Sequence, residues 1–412
     1  MTNINKFFYR HMDKIIIIIL LLNPFFDILT SLSINVLKLN FTIGMIYKII
    51  VLCIFIYYYF FVIEKYNKKT SNIFLLCIFI YVLSNLVYHF LANNSFIGDF
   101  IFSIKCFYFP ILLILLWNIC WYQEINIDDK YIFYMACIYA FTIFIAYITN
   151  SSFNSYDVSK IGIVGWFNSA NEVGNIISIC IPFSISYVFK EKKIINYLLS
   201  LLIVFSIIVM GTKTPIISLI ICIIFFFFKM IFNFIIHKRY KILILVCLVV
   251  FLLLELMIIF LPMVPCYKNL IIHLEYLNIH SFNDFLDIKI FDHFFLGSRL
   301  MFLKNTSIIW LDSGILYYLL GIGIDINCKL IEMDIFDIFF RFGIIGLMVY
   351  VVPIIYLFKN SLNKDNNYLI TIILIILISL TVGHVLIKPS VSMIVSIILI
   401  KYLKGNGCCE KI

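Results

Sequence analysis

The sequence predicts an all-α, polytopic membrane helix bundle, and three observations carry that prediction. Hydrophobic residues make up 64% of the 412 and charged residues only 13%. The mean hydropathy is +1.08, and no soluble core of this length hides that much apolar surface. The apolar residues also come in runs of about 20, the length that spans the hydrocarbon of a bilayer. The formal charge of +9 does not point to nucleic acid, because the basic residues lie in short tracts between those runs.

Windows of this length place helices near 15–34, 41–63, 73–92, 101–121, 131–149, 167–189, 194–210, 215–236, 242–262, 336–358, 368–387 and 389–403, about twelve in all. The first run leads from Lys14 into Asn23-Pro24 without a small-residue cleavage site, so it reads as a span and not as a cleaved leader. The pair around Gly211 and the last pair are separated by very short turns and read as helical hairpins. Loop charge sets the orientation. Lys6, Arg10 and Lys14, Lys65 to Lys69, Lys190 to Lys193, Lys238 to Lys241, and Lys359 with Lys364 fall on one side, which is then the cytoplasm. Both termini are therefore expected inside a bacterial cytoplasmic membrane, and the short opposite loops hold only Lys38, Lys105, Lys160, Lys213 and Lys388. This topology leaves a single transmembrane domain over 1–412, with one large extracytoplasmic loop, 263–335, between helices nine and ten. Its mixture of aromatic, aliphatic and charged residues predicts an ordered cap, with short amphipathic helices over 283–295. Most of the 12 cysteines stand alone inside spans without metal-type spacing. Cys266 and Cys328, near opposite ends of the loop, leave a disulfide open.

The stretch Glu332 to Gly346, EMDIFDIFFRFGIIG, carries the densest chemistry. Glu332, Asp334, Asp337 and Arg341 crowd the start of an apolar helix, where ionised groups are costly unless they work. Asp337 and Arg341 are four apart, a spacing that favours an intrahelical ion pair. Arginine is scarce, and Arg299 and Arg341 lie on the side where the topology bias disfavours cations, which suggests bidentate recognition of an oxyanion. Lys213 is a third cation on that side, in the turn Gly211-Thr212-Lys213-Thr214-Pro215, which offers hydroxyls and free amides at a helix start. Asn168, Asn171, Glu172 and Asn175, at spacings of three and four, predict a polar stripe on one helix face. Asp27 and Lys48, at similar depth in the first two spans, predict a neutralising pair. His89, Glu255 and His384 have no partner legible in the sequence. Cations that stabilise a diphosphate leaving group, with a carboxylate that takes a proton from a hydroxyl, suit glycosyl transfer from a lipid-linked sugar diphosphate. A multi-span transporter or flippase for a lipid-linked oligosaccharide is the alternative. Carriers with two six-span halves put the longest loop in the cytoplasm and show internal symmetry; here the long loop is external and no repeat is visible.

The chain resembles the bacterial O-antigen ligase and O-antigen polymerase family. The likeness covers the whole topology and, locally, Asn168-Ser169-Ala170-Asn171 leading to Pro182, GTKTP at 211–215, Arg299 with Trp310, LLGIGI at 319–324, and EMDIFDIFFRFGIIGL. The resemblance implies a GT-C-like glycosyltransferase architecture and transfer from an undecaprenyl-diphosphate-linked glycan donor to a glycan acceptor at the membrane surface, with no cofactor and no metal. It also implies flippase and chain-length regulator proteins as partners in capsule, exopolysaccharide or O-antigen-like synthesis. Carried over by position, Lys213 and Arg299 hold the diphosphate; the residues themselves add Arg341 to that set, Glu332, Asp334 and Asp337 as the catalytic carboxylates, and Asn168, Asn171, Glu172 and Trp310 toward the glycan or lipid head. Two departures favour a polymerase or related transferase over a ligase: the ligases usually have Arg at the place of Lys213, and His-Asn where this chain has Glu332.

Overall fold

The computed structural model describes residues 3–39, 42–63, 68–92, 96–125, 127–156, 160–238, 262, 264–279, 281–324, 329–359 and 366–404. Apolar runs become helices in the expected order: α1 (Asn3–Asn35), α2 (Ile43–Tyr57, continued by a π turn Tyr58–Val62), α3 (Lys69–Leu91), α4 (Phe96–Gln123) and α5 (Asp129–Ile148). After a hairpin, β1 (Phe153–Tyr156) and β2 (Ile161–Gly165), come α6 (Ala170–Glu191), α7 (Ile194–Met210), α8 (Lys213–Ile236) and α9 (Pro265–Tyr276). The chain then makes short helical turns over 282–296 and continues as α10 (Arg299–Leu311), α11 (Ile315–Leu320), α12 (Asp334–Lys359), α13 (Asn366–Thr381) and α14 (Pro389–Lys404). Among the described residues 8 helices are long and apolar enough to cross a membrane, and α7, α13 and α14 are shorter apolar helices. The protein is thus a polytopic helical membrane protein. The expected span at 242–262, with Glu255, lies almost wholly outside the described residues, as do Cys328 and the side chain of Cys266.

Two details depart from the sequence reading. The fold is not purely α, because Phe153, Asn154 and Tyr156 pair antiparallel with Gly165, Ile163 and Ile161. That hairpin is too short, and its Ile-Gly-Ile-Val-Gly strand too close to the next apolar run, to stand out from a span. The last pair of helices is also no tight hairpin: α13 stops at Thr381 and α14 starts at Pro389, leaving a non-helical segment, 382–388.

The chain divides into two compact units, residues 1–131 with 281–412, and residues 132–280. In the first, the middle of α4 is buried from Cys106 to Pro110 and from Leu112 to Leu116. Leu112, Leu113, Leu115 and Leu116 are shut from solvent, as are Val391, Ile394, Val395 and Ile398 of α14. In the second, Gly174 of α6 lets α8 come close: a Cβ there would lie 3.3 Å from Pro215 Cδ and 3.4 Å from Thr212 Oγ1. Small residues at such crossings are how membrane helices gain close packing.

Asp27 and Lys48 do pair. Their atoms are 3.1 Å apart, and Lys48 also donates to Asn23 Oδ1 at 2.8 Å. Ser390, just inside α14, donates to Asp27 Oδ1 at 2.7 Å, so one carboxylate ties three helices. Breaking a buried pair strands a charge, at about 3–5 kcal/mol. Asp27→Asn and Lys48→Met are each expected to lower membrane abundance, and the Asp27→Lys, Lys48→Asp swap to restore part of it. Losses that simply add in the double neutral variant would argue against the coupling.

Candidate functional site

The start of α12 is built by its own carboxylates. Asp337 accepts from the amides of Ile331 and Glu332, both at 2.9 Å, folding the preceding chain over the helix N-terminus, where negative charge is favoured. Asp334 accepts from the amides of His384 at 2.7 Å, Val385 at 2.8 Å and Leu386 at 2.9 Å. That contact fastens the 382–388 segment to the helix start. Beside it Gly383 (φ 77°) presses on the Glu332 carbonyl, where a Cβ could not fit. Both aspartates are fully buried with their oxygens occupied by backbone. Through these bonds both aspartates position the chain around Glu332 and His384.

Arg341, expected at the diphosphate, is 1% exposed. It donates to the carbonyls of Gly323 at 2.8 Å and Lys329 at 3.3 Å, clamping the chain around LLGIGI. The clamp is needed because α12 breaks at Gly343 (φ 65°, ψ −172°). The carbonyls released by the break are taken up by Ile322 N on Phe340 at 3.0 Å, Gly323 N on Arg341 at 3.2 Å and the Tyr81 hydroxyl on Phe342. Irregular backbone at membrane depth survives only when its polar groups are satisfied in this way. Asn85 holds Leu320 O at 2.6 Å, and Asp99 holds Ile324 N at 2.6 Å. Arg341 thus serves the fold of this loop. His89, isolated in the sequence, lies beside Gly323, whose added Cβ would sit 2.8 Å from the imidazole.

Arg299 and Glu332 meet. Arg299 Nη2 lies 2.9 Å from Glu332 Oε2, and the two side chains are 11% and 43% exposed. Arg299 Nη1 donates to Leu296 O at 2.8 Å, while its Nε is buried without a hydrogen-bond partner. The arginine is presented by a sharp turn, Gly297 (φ 61°) and Ser298 (φ 67°). Asp292 caps α10, accepting the amides of Leu300 and Met301, each at 2.9 Å. Trp310, at the far end of α10, packs with Tyr318, Phe339 and Phe340 at ring distances of 4.5, 5.2 and 5.7 Å. It joins a cluster with Ile331 and Met333. The ring expected to meet glycan thus packs α10 against the start of α12.

The sequence reading found no partner for His384. Its Nδ1 is 3.9 Å from Asp334 Oδ1 and buried with no hydrogen-bond partner. Burial pushes the imidazole down to about 4; Lys388, Arg299 and Lys105 push the same way, and Glu332 opposes them. The only sequence signal for this gathering was that Lys105, Lys388 and Arg299 all fell on the cation-poor side. The folded value lies below the ordinary 6.5, so between these two pH values the unfolded chain binds more protons. The His384 contribution is complete above about 6.5 and is lost as pH falls toward about 4. The melting temperature of the purified protein is expected to drop over that window, and His384→Gln to flatten the drop; an unchanged profile would exclude His384 as its source.

In the second unit, Gly211 is left-handed after α7, Thr212 is the N-cap and Lys213 is the first residue of α8. Lys213 is half-buried and Thr212 buried. The polar stripe is shorter than expected: Asn168 precedes the helix and is exposed, because Ser169 is the N-cap and accepts from Glu172 N at 3.3 Å. Asn171 is exposed, Glu172 half-buried and Asn175 fully buried. Among the described residues no three or more His, Cys, Asp or Glu are gathered as a metal would require.

No curated protein and no solved structure matches the chain. A family profile described as an O-antigen ligase like membrane protein matches residues 9–289 and 291–404. The match takes in the Arg299–Glu332 pair, His384 and the Gly211–Pro215 turn alike. The chain therefore belongs to the O-antigen ligase-like family of membrane proteins.

Proposed function

We propose that this protein, a member of a family of membrane glycan ligases and polymerases, is a glycosyltransferase that moves a glycan from an undecaprenyl-diphosphate carrier to a sugar hydroxyl. It works at the outer face of the bacterial cytoplasmic membrane, with both termini inside, in synthesis of a capsule, exopolysaccharide or O-antigen-like polymer. The observation that carries this reading is the Arg299–Glu332 pair at 2.9 Å, set among further cations at the start of an apolar helix. A planar guanidinium with a spare Nε–H suits two phosphate oxygens at once. Of the three acidic residues there, Glu332 is the one whose carboxylate reaches solvent.

In the reaction the acceptor oxygen bonds to the anomeric carbon, the bond from that carbon to the diphosphate breaks, and its electron pair leaves on the phosphate oxygen. Glu332 takes the hydroxyl proton, and the cations offset the charge growing on the leaving group. Diphosphate arriving at Arg299 draws the guanidinium away from Glu332 and frees the carboxylate as a base. Lys213, in the other unit, keeps as a separate proposal the donor-binding role that the family resemblance implies; the same holds for Asn171 and Glu172 toward the glycan or lipid head, and for flippase and chain-length regulator proteins as partners. The test is elongation of a lipid-linked repeat unit by purified protein in proteoliposomes. Longer lipid-linked glycans are expected, and translocation without a new glycosidic bond would instead make the protein a flippase.

A further inference from the structure

We propose that the short helical turns over 286–295 form a foot that dips into the surface of the lipid bilayer beside the Arg299–Glu332 pair. The partner is the membrane itself, at the boundary between headgroups and acyl chains. Leu286 and Ile288 are 78% and 73% exposed, and Phe291 and Phe295 are exposed as well. Ile288, Phe291 and Phe295 follow one another at spacings of three and four, which puts them on one side of the turns. The other side is fixed inward. Phe294 and Asp292 are buried, and Asp292 caps α10 through the amides of Leu300 and Met301. Phe295 packs at a ring distance of 4.9 Å on both Phe291 and the buried Phe294, so the outward rings are tied to the inner ones. Large apolar side chains gathered on one exposed face are unfavourable in water and mark a contact surface.

The position of this face in the fold says that lipid covers it. The foot runs through the Gly297–Ser298 turn into Arg299, which hydrogen-bonds Glu332 at 2.9 Å, just ahead of α12. That helix is long and apolar enough to cross a membrane. Its 26 residues exceed the roughly 20 that cover the hydrocarbon, so its ends reach the headgroup level. The Arg299–Glu332 bond sets the foot at that same level. The turns are too short to cross but have the make-up of an interfacial segment, with exposed Asp287 and Lys289 beside the apolar face. Such polar groups meet the headgroups while the rings enter the acyl region. Seated in this way, the foot holds the Asp292 cap, and with it Arg299, at a constant depth relative to lipid. The contact holds whether or not Arg299 binds a diphosphate.

The test places a benzophenone amino acid at 288, and separately at 291, in the full-length protein in proteoliposomes of phosphatidylglycerol and phosphatidylethanolamine. Irradiation is expected to join phospholipid to the protein at both positions, seen as a mass gain of one lipid. A crosslinked dimer in place of the lipid adduct would make the face an interface between copies, and an unmodified protein would leave it in water; either result overturns the proposal. Should the probes prevent folding, hydroxyl-radical footprinting of the wild type decides, in nanodiscs holding one copy each. Phe291 and Phe295 are 42% and 50% exposed in the protein alone. In the nanodisc they are expected to be oxidised many-fold more slowly than free phenylalanine in the same sample, a protection that half exposure does not give. Oxidation at half the free rate or faster overturns the contact.

Discussion

Arg299→Lys is expected to lower glycan transfer roughly a hundredfold or more, the usual cost of removing one transition-state donor, while the protein stays folded. Arg299 uses its two terminal nitrogens in different directions, one on the Leu296 carbonyl at 2.8 Å and one on Glu332 at 2.9 Å. The buried Nε–H is left over. A lysine ammonium keeps the charge but cannot anchor to the backbone and present two parallel donors to phosphate together. Folding should survive, because α10 is held by the Asp292 cap and the Trp310 cluster, which do not involve the guanidinium. The measurement is polymer output at matched membrane abundance. Normal output from Arg299→Lys would take Arg299 out of the site.

Glu332→Gln is expected to abolish turnover while donor binding persists or tightens. The amide keeps the shape and can still accept a hydrogen bond, but it takes up no proton. It also no longer competes with phosphate for Arg299. The ion pair it replaces is nearly half exposed on the glutamate side, so its loss costs little stability. Asp334→Asn should behave differently, because that carboxylate holds three amides of the 382–388 segment; its loss should show as lower abundance. A Glu332→Gln enzyme that polymerises near the wild-type rate would falsify the base assignment, and His384 would then be the group to examine next.

How far the sequence reached is clearest at particular residues. The boundaries of α7 were legible because Gly211 stops one apolar run and Pro215 opens the next, and local chemistry suffices there. The Asp27–Lys48 pair was legible because two lone charges at equal depth in adjacent spans have few alternatives. Asp337 and Arg341 were legible only in part. Their i,i+4 spacing is a real propensity, but it gave no sign that the carboxylate would accept the amides of 331 and 332 or that the guanidinium would donate to the carbonyls of 323 and 329. Asn168 misled because a helix face was assumed for a residue that lies before the cap.

Hydropathy and spacing by themselves determined that this is a polytopic helical membrane protein and roughly where its helices run. These are properties of local chain and solvent, so they can be read without contacts. Only the tertiary structure decided which charges work together. It joined Glu332 to Arg299 across 33 residues, and Asp334 to His384 across 50. It also showed what Asp334, Asp337, Arg341 and Trp310 hold: backbone amides, backbone carbonyls and an aromatic cluster around Glu332 and His384. Those pairings depend on where the break at Gly343 and the 382–388 segment bring backbone groups that must be satisfied, and no periodicity in the sequence encodes that demand.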